Sequence, residues 1–127
     1  MHDGDGLSND HIRQIAHVVT RHSLSSGVHL SVFIGSPNGP ARPFAQRLLA
    51  ALGDRAPGSV LILVAPAERQ LEIVSGRQAA RVIDDRSCEL AALAMTSSFA
   101  VGDLAGGVIA GLQVLVEEAV HLRSLEA

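Results

Sequence analysis

The sequence has no Trp, Tyr or Lys and only three Phe among its 127 residues. Without Trp and Tyr it has no aromatic platform on which nucleic-acid bases or sugars would stack. Without Lys it has neither a Schiff-base lysine nor the phosphate-binding lysine of a P-loop. Its ten basic residues, all Arg, are outnumbered by thirteen acidic residues, for a net charge of -3. This composition argues against nucleic-acid binding and predicts one domain, residues 1–127, with an aliphatic core.

Cysteine and long apolar segments are also scarce. Cys88 is the only cysteine, so no internal disulfide can form, and a reducing compartment is expected. The first ten residues are polar and acidic, unlike the basic and then apolar start of a signal peptide. The longest apolar stretch, 104–116, is shorter than the roughly 20 residues that a membrane span needs. We therefore predict a cytoplasmic protein that does not insert into a membrane.

Three segments have strand patterns. Residues 28–34 and 70–76 alternate apolar with polar side chains, and 60–65, "VLILVA", contains no polar residue. An unbroken apolar run is typical of a central strand that is covered on both faces. The four-residue connection 66–69 predicts an antiparallel hairpin, and we expect 60–64 to pair with 28–34 on its other side.

Four segments have helical periodicity. Ser8 or Asn9 is expected to cap the first helix, Pro40 to begin the second, Asp84 or Asp85 to cap the third and Asp103 to cap the last. The expected core faces are Ile12, Ile15, Ala16 and Val19; Phe44, Leu48, Ala51 and Leu52; Leu90, Leu93, Ala94 and Met95; and Leu104, Val108, Gly111, Leu112, Leu115, Ala119 and Leu122. The order α-β-α-β-β-α-α predicts a three-layer α/β/α sandwich on a small mixed sheet.

Two stretches resemble the TPM-domain family. These are "SVLILVAPAERQLEIVSG" and "SFAVGDLAGGVIAGLQVL", and the N-terminal "DGDGLS" is similar to the family's opening Asp-x-x-Gly-x-Leu-Ser. The nearest likeness is to an actinobacterial branch that carries "MTxSFAxGDLAGG". The resemblance spans nearly the whole chain. It implies a Rossmann-like sandwich, an acidic cleft that can bind a divalent cation and, for some members, phosphatase activity.

The resemblance also assigns candidate metal ligands. Asp103 matches the family's "GD", Asp84 or Asp85 its acid at the start of the third helix, and Asp5 its N-terminal acid. The sequence departs from the family at "APGS", where many relatives have Asp-Asn-Gly, and at "GRQAARVID", which keeps only Gly76 of a glycine-rich segment. The implied set of three or four acids has therefore lost at least one member.

The acids and glycines of the C-terminal half each have two interpretations. Asp84, Asp85 and Asp103 suit Ca²⁺ or Mg²⁺, yet Asp is also favoured as a helix N-cap, and the two roles are compatible. The glycines at 106, 107 and 111 would admit a ligand to the last helix, but close helix packing explains Gly107 and Gly111 more simply.

The remaining reactive side chains give weaker signals. Cys88 lies near a helix N-terminus, which lowers a thiol pKa, but no His is near it in sequence, so a structural role is favoured. The six histidines (residues 2, 11, 17, 22, 29 and 121) have no zinc spacing and are interpreted as surface residues. Arg69 and Arg77 flank the hairpin, where they either attract an anion or are simply solvated.

Two functional hypotheses follow. The first is a non-catalytic binding or accessory module with an unidentified protein partner and no cofactor, because the fold signature is kept while the acidic set is depleted. The second is a phosphatase in which Asp103 and Asp84 or Asp85 hold Ca²⁺ or Mg²⁺. An estimate from helix length places Asp103 about 22 Å from the start of the third helix if that helix is straight, which opposes a shared site.

Overall fold

The chain is an α/β domain with a small mixed sheet and four helices. The computed structural model describes residues 8–68 and 70–126, with side chains described for all of these except 24–26 and 118–126. The elements are α1 (Asn9–Ser26), β1 (His29–Ile34), α2 (Ala41–Ala50), β2 (Ser59–Ala65), β3 (Gln70–Ser75), α3 (Asp85–Phe99) and α4 (Leu104–Glu126). Short 3-10 helices at Gly53–Gly58 and Ala79–Arg81, which the sequence analysis did not predict, precede β2 and α3.

The sheet has the predicted strand arrangement. Its order is β1-β2-β3, with β2 parallel to β1 and antiparallel to β3. In the register, Leu30 lies opposite Val60, and Ile62 lies opposite Ile73. All seven residues of β2 are buried, as its unbroken apolar sequence predicts for a strand between two others.

Helices cover both faces of the sheet. Alternate residues of β2 belong to two separate cores, because successive side chains of a strand point to opposite faces. Leu61 and Leu63 pack with Ala41 and Ala45 of α2. The other face packs against α1, α3 and α4 in the larger core, which contains Ile15, Leu30, Val60, Ile62, Val64, Ala91, Met95, Val108, Leu112 and Leu115.

Helix ends follow the sequence signals closely. Ser8 caps α1 by accepting a hydrogen bond from the backbone N–H of His11, whose Nδ1 in turn accepts from the Ser8 N–H. Gly27 ends the same helix with a φ of 74°, a left-handed conformation that glycine adopts without strain. Ser8 and Gly27 are therefore the local features that bound α1.

The predicted core face of α3 is wrong in part. Leu90 and Leu93 are 41% and 64% exposed, whereas Ser87, Ala91 and Met95 form the buried face. Ser87 and Ala91 are small and Met95 packs against Gly111 of α4, so the two helices approach closely on this face and the leucines lie on the outside. Ala16 of α1 and Ala51 after α2 were also predicted to lie in the core, but both are exposed.

The glycines of α4 allow this close packing, as predicted. A Cβ added to Gly107 would lie 2.7 Å from Cε1 of Phe99, and one added to Gly111 would lie 2.9 Å from Sδ of Met95. Both distances are too short for carbon atoms in van der Waals contact. The buried face of α4 contains Leu104, Val108, Gly111, Leu112 and Leu115, as predicted; Ala119 and Leu122 lie outside the described side chains.

Replacement of Gly111 with Leu tests this packing. We expect the free energy of unfolding to fall by about 1–3 kcal/mol, because the larger side chain overpacks the contact with Met95. Urea denaturation measures the change. The matched control is Gln113→Leu, which places the same side chain at an exposed position of α4 and is expected to change stability by less than about 0.5 kcal/mol. Equal stabilities of the two variants would contradict the packing role of Gly111.

Candidate functional site

Asp84 is the N-cap of α3, as its position in the sequence predicts. Its Oδ1 accepts hydrogen bonds from the backbone N–H and the Oγ of Ser87, each at 2.9 Å. These bonds favour the ionised carboxylate and lower the pKa of Asp84, the backbone N–H having the largest effect. One carboxylate oxygen of this candidate metal ligand is therefore engaged within its own helix.

Asp103 has the corresponding role at the start of α4. Its Oδ1 accepts a hydrogen bond of 3.0 Å from the backbone N–H of Gly106. A Cβ added to Gly106 would collide with this carboxylate, so the glycine makes room for the cap itself. The cap of α4 therefore explains the glycine at 106, and helix packing explains Gly107 and Gly111.

The candidate metal ligands that the structure describes lie at opposite ends of α3. Asp84 and Asp85 lie at the start of α3, whereas Asp103 follows its end, about 22 Å away for a straight helix of this length. In the described part of the chain, no three His, Cys, Asp or Glu side chains are grouped so that they could hold a metal ion. Asp5 lies outside the described residues. The described acids therefore do not fit the shared cation site that the resemblance implies.

Cys88 has the surroundings of a structural thiol. It is half-buried in α3, with its Sγ 3.8 Å from the Oγ of Ser75 on β3. Burial raises the pKa of the Cys88 thiol, and the nearby carboxylates of Asp85 and Asp84 raise it further. A raised pKa lowers the fraction of thiolate, which is the nucleophilic form.

The remaining polar candidates are His22, Arg69 and Arg77. His22 is half-buried rather than on the surface, and burial together with Arg21 lowers its pKa. Arg77 is exposed just after β3, and Arg69 lies outside the described residues. The anion site considered for Arg69 and Arg77 therefore stays a prediction.

The structure contains a cleft of about 810 Å³ that was not predicted from the sequence. It lies beside the end of β2 and the start of β3, where the carboxyl ends of the two parallel strands meet the β2–β3 turn. Ligands of open α/β sheets bind at this end of the strands. The lining consists of Ala41, Val64, Ala65, Pro66, Gln70, Leu71, Glu72, Ala92, Thr96, Phe99, Ala100, Gly102 and Leu104.

The cleft is lined from both faces of the sheet. Leu71 packs with the larger core on the side of α3 and α4, whereas Glu72 lies on the side of α2. Phe99, from the end of α3, forms part of the wall and packs against the same core. The cleft therefore passes round the β2–β3 end of the sheet instead of lying on one face.

The lining is mainly apolar and includes one charged side chain, Glu72, which is paired with Arg42 outside the lining. Nη1 of Arg42 lies 3.1 Å from Oε2 of Glu72. Thr96, on the opposite wall, donates its hydroxyl to the backbone oxygens of Ala92 and Leu93 in its own helix. Such a surface suits an apolar group that is oriented by a few polar contacts. The alternation of Leu71 and Glu72 is the only sequence signal for it, since Thr96 and Phe99 join them through the tertiary fold.

The chain is similar in fold to solved bacterial proteins. The NMR structure of the BA42 protein from Bizionia argentinensis superposes with a TM-score of 0.80 at 15% identity, covering 91% of this chain and 83% of that one. The N-terminal domain of the cg2496 protein from Corynebacterium glutamicum gives a TM-score of 0.73 at 23% identity, covering 89% of this chain and 74% of that one. The N-terminal domain of a P. gingivalis protein gives 0.77 at 18% identity, covering 94% and 79%. At these identities the likeness establishes the fold alone.

Sequence comparison identifies a family without assigning an activity. Residues 5–116 match the family described as "Domain of unknown function (DUF5130)". No curated protein matches the chain. Across the described residues, no helix has the length and apolar content needed to cross a membrane.

The lowered pKa of Asp84 predicts a pH-dependent contribution to stability. A depressed pKa in the folded state stabilises the fold above the unfolded-state pKa, and this contribution is lost as the pH falls through the folded-state value. Asn at this position caps a helix without titrating. We expect the stability advantage of the wild type over Asp84→Asn to decline on acidification from about pH 7 to about pH 2. Urea denaturation across this range measures it; a pH-independent difference would refute the role of the charged cap.

Proposed function

The chain belongs to the DUF5130 family, and we propose that it is a non-catalytic binding or accessory module whose cleft receives an apolar group of a partner. The observation that carries the proposal is the cleft at the end of β2 and the start of β3. Its volume of about 810 Å³ lies within the range of roughly 300–1,000 Å³ that is usual for ligand pockets. Leu71, Phe99 and Leu104 supply apolar surface, and Glu72, which is paired with Arg42, supplies a polar group for orientation.

We also propose a more specific architecture and a wider kinship for this chain. Helices on both faces of the sheet support a three-layer α/β/α sandwich of Rossmann-like type with fewer strands than usual. The "VAP" and "FAVGD" stretches support kinship with the TPM-domain family. In this chain both stretches contribute to the cleft, through Ala65 and Pro66 in the first and Phe99 and Gly102 in the second.

The second hypothesis, a metal-dependent phosphatase, receives no support from the described acids. Asp84 and Asp103 cap different helices at opposite ends of α3, a separation that does not support a shared cation. Cys88 has a raised thiol pKa, which does not suit a nucleophile. Binding to a partner protein in the cytoplasm therefore remains our preferred proposal.

Filling the cleft tests the binding proposal. The probe is 8-anilinonaphthalene-1-sulfonate, whose fluorescence rises when it enters an apolar site. We expect saturable binding by the wild type, and at least about tenfold weaker binding by Thr96→Phe, because the ring occupies the cleft. Fluorescence titration gives the affinities, and NMR shifts at Leu71 and Phe99 locate the probe.

Ser97→Phe is the matched control. Ser97 is exposed like Thr96 and adjacent to it on α3, but it does not line the cleft. This variant is expected to bind the probe as the wild type does. Equal affinities of the Thr96 and Ser97 variants, or no saturable binding by the wild type, would refute the assignment of the cleft.

Metal titration separates the two functional hypotheses. We predict no Ca²⁺ or Mg²⁺ binding at micromolar concentrations and no phosphatase activity, because Ca²⁺ affinity falls with fewer charged ligands and the described acids do not converge. NMR and thermal melting with each metal, and hydrolysis of p-nitrophenyl phosphate, measure these properties. A saturable shift that is lost in Asp103→Asn would support the phosphatase hypothesis instead.

A further inference from the structure

One edge of the sheet is formed by β3, which among the described residues pairs with β2 alone. The backbone N–H of Gly76, just after β3, donates to the carbonyl of Ser59 at 2.8 Å. Antiparallel ladders alternate between residues that bond inward and residues that face away. The N–H and C=O groups of Leu71, Ile73 and Ser75 therefore point away from β2, toward the open edge.

The outward backbone groups of Leu71 and Ile73 have no hydrogen-bond partner among the described residues. The opposite edge is partly closed, because the outward N–H of Leu30 on β1 donates to Oγ of Ser23 at 2.9 Å. An open row of backbone donors and acceptors is a template for another strand. Of the two edges, β3 has the longer run without a side-chain cap.

The open edge and the cleft coincide. Gln70, Leu71 and Glu72 of β3 line the cleft, whereas no residue of β1 does. An extended chain that pairs with β3 presents its side chains alternately to the two faces of the sheet. The cleft has this form, with the apolar wall of Leu71 and Phe99 on one face and the carboxylate of Glu72 on the other.

We propose that the occupant of the cleft is an extended segment of a partner protein, which adds to β3 as a fourth strand. This inference rests on the proposed binding function and names the class of partner. The main-chain bonds to Leu71 and Ile73 supply affinity, and the cleft selects an apolar side chain at alternate positions. The electrostatic complementarity lies in the alternating N–H and C=O dipoles of the edge, which match those of an extended backbone.

The test uses pools of blocked seven-residue peptides in which Leu, Val, Ile or Phe alternates with Thr or Gln. Two further pools carry N-methyl groups, one on the apolar residues and the other on the polar residues. A methyl group removes the donor and obstructs pairing only where that N–H faces β3. In antiparallel pairing, the residue opposite Leu71 bonds to it and lies on the same, apolar face. We therefore expect methylation of the apolar residues to weaken binding about tenfold or more, and methylation of the polar residues to change it less than about threefold.

NMR titration with the unmethylated pool is expected to shift the amide signals of Leu71 and Ile73 and to slow their hydrogen exchange. The reverse order of the two methylated pools would indicate parallel strand addition. Equal affinities of the two methylated pools, or no change at Leu71 and Ile73, would overturn the inference. If the fluorescent probe still binds in the cleft under those outcomes, the proposed function stands and only the strand addition fails.

Two variants at one residue provide an independent measurement. Leu71→Pro removes the outward N–H, whereas Leu71→Ala removes more of the apolar side chain and keeps that donor. Proline is tolerated on edge strands where its N–H would face away from the ladder. We expect the Pro variant to bind the unmethylated pool at least about fivefold more weakly than the Ala variant. Equal binding would overturn the inference, as would a concentration-dependent dimer in light scattering that the peptides do not dissociate, which would make a second copy the occupant.

Discussion

The close contact between α3 and α4 determines where most other parts of the molecule lie. At Gly107 and Gly111 the backbone of α4 approaches Phe99 and Met95 so closely that no Cβ would fit. Met95 is fully buried, at the centre of the larger core between these helices and the sheet. The contact fixes which face of α3 is turned inward. With that face occupied by Ala91 and Met95, the helix presents its leucines to solvent and its C-terminal end to the start of β3.

The cleft is a consequence of this arrangement. The end of α3 contributes Thr96 and Phe99 to one wall, while β3 and α2 contribute Glu72 and Ala41 to the other. Asp84 and Asp103 have a structural role, since each holds its carboxylate against the first turn of its own helix. Caps and glycines therefore position the helices, and the space left beside β3 is open to a partner.

Local features of the structure could be predicted from the sequence, whereas the cleft could not. A strand with no polar residue has to be covered on both faces, so the sequence of 60–64 predicts a central strand. The short turn after this strand predicts the hairpin with β3, and the sheet has both features. Caps are equally local: Ser8 and Asp84 act within three residues of themselves. The buried face of α3, by contrast, could not be predicted from local sequence features. Leu90 and Leu93 satisfy a helical period as well as Ala91 and Met95 do, and the choice between them depends on the glycines of α4, which periodicity does not weigh. The cleft depends on that choice too, because Phe99 and Leu71 meet only in the folded chain.

The most direct test of this account is the set of NOE cross-peaks between α3 and α4 in a solution NMR spectrum. A Cβ on Gly111 would collide with the terminal methyl of Met95, so the Hα protons of Gly111 must lie close to that methyl. We predict strong cross-peaks between these protons, and between the ring protons of Phe99 and the Hα protons of Gly107. Cross-peaks from the methyls of Leu90 or Leu93 to Gly111, with none from Met95, would contradict it.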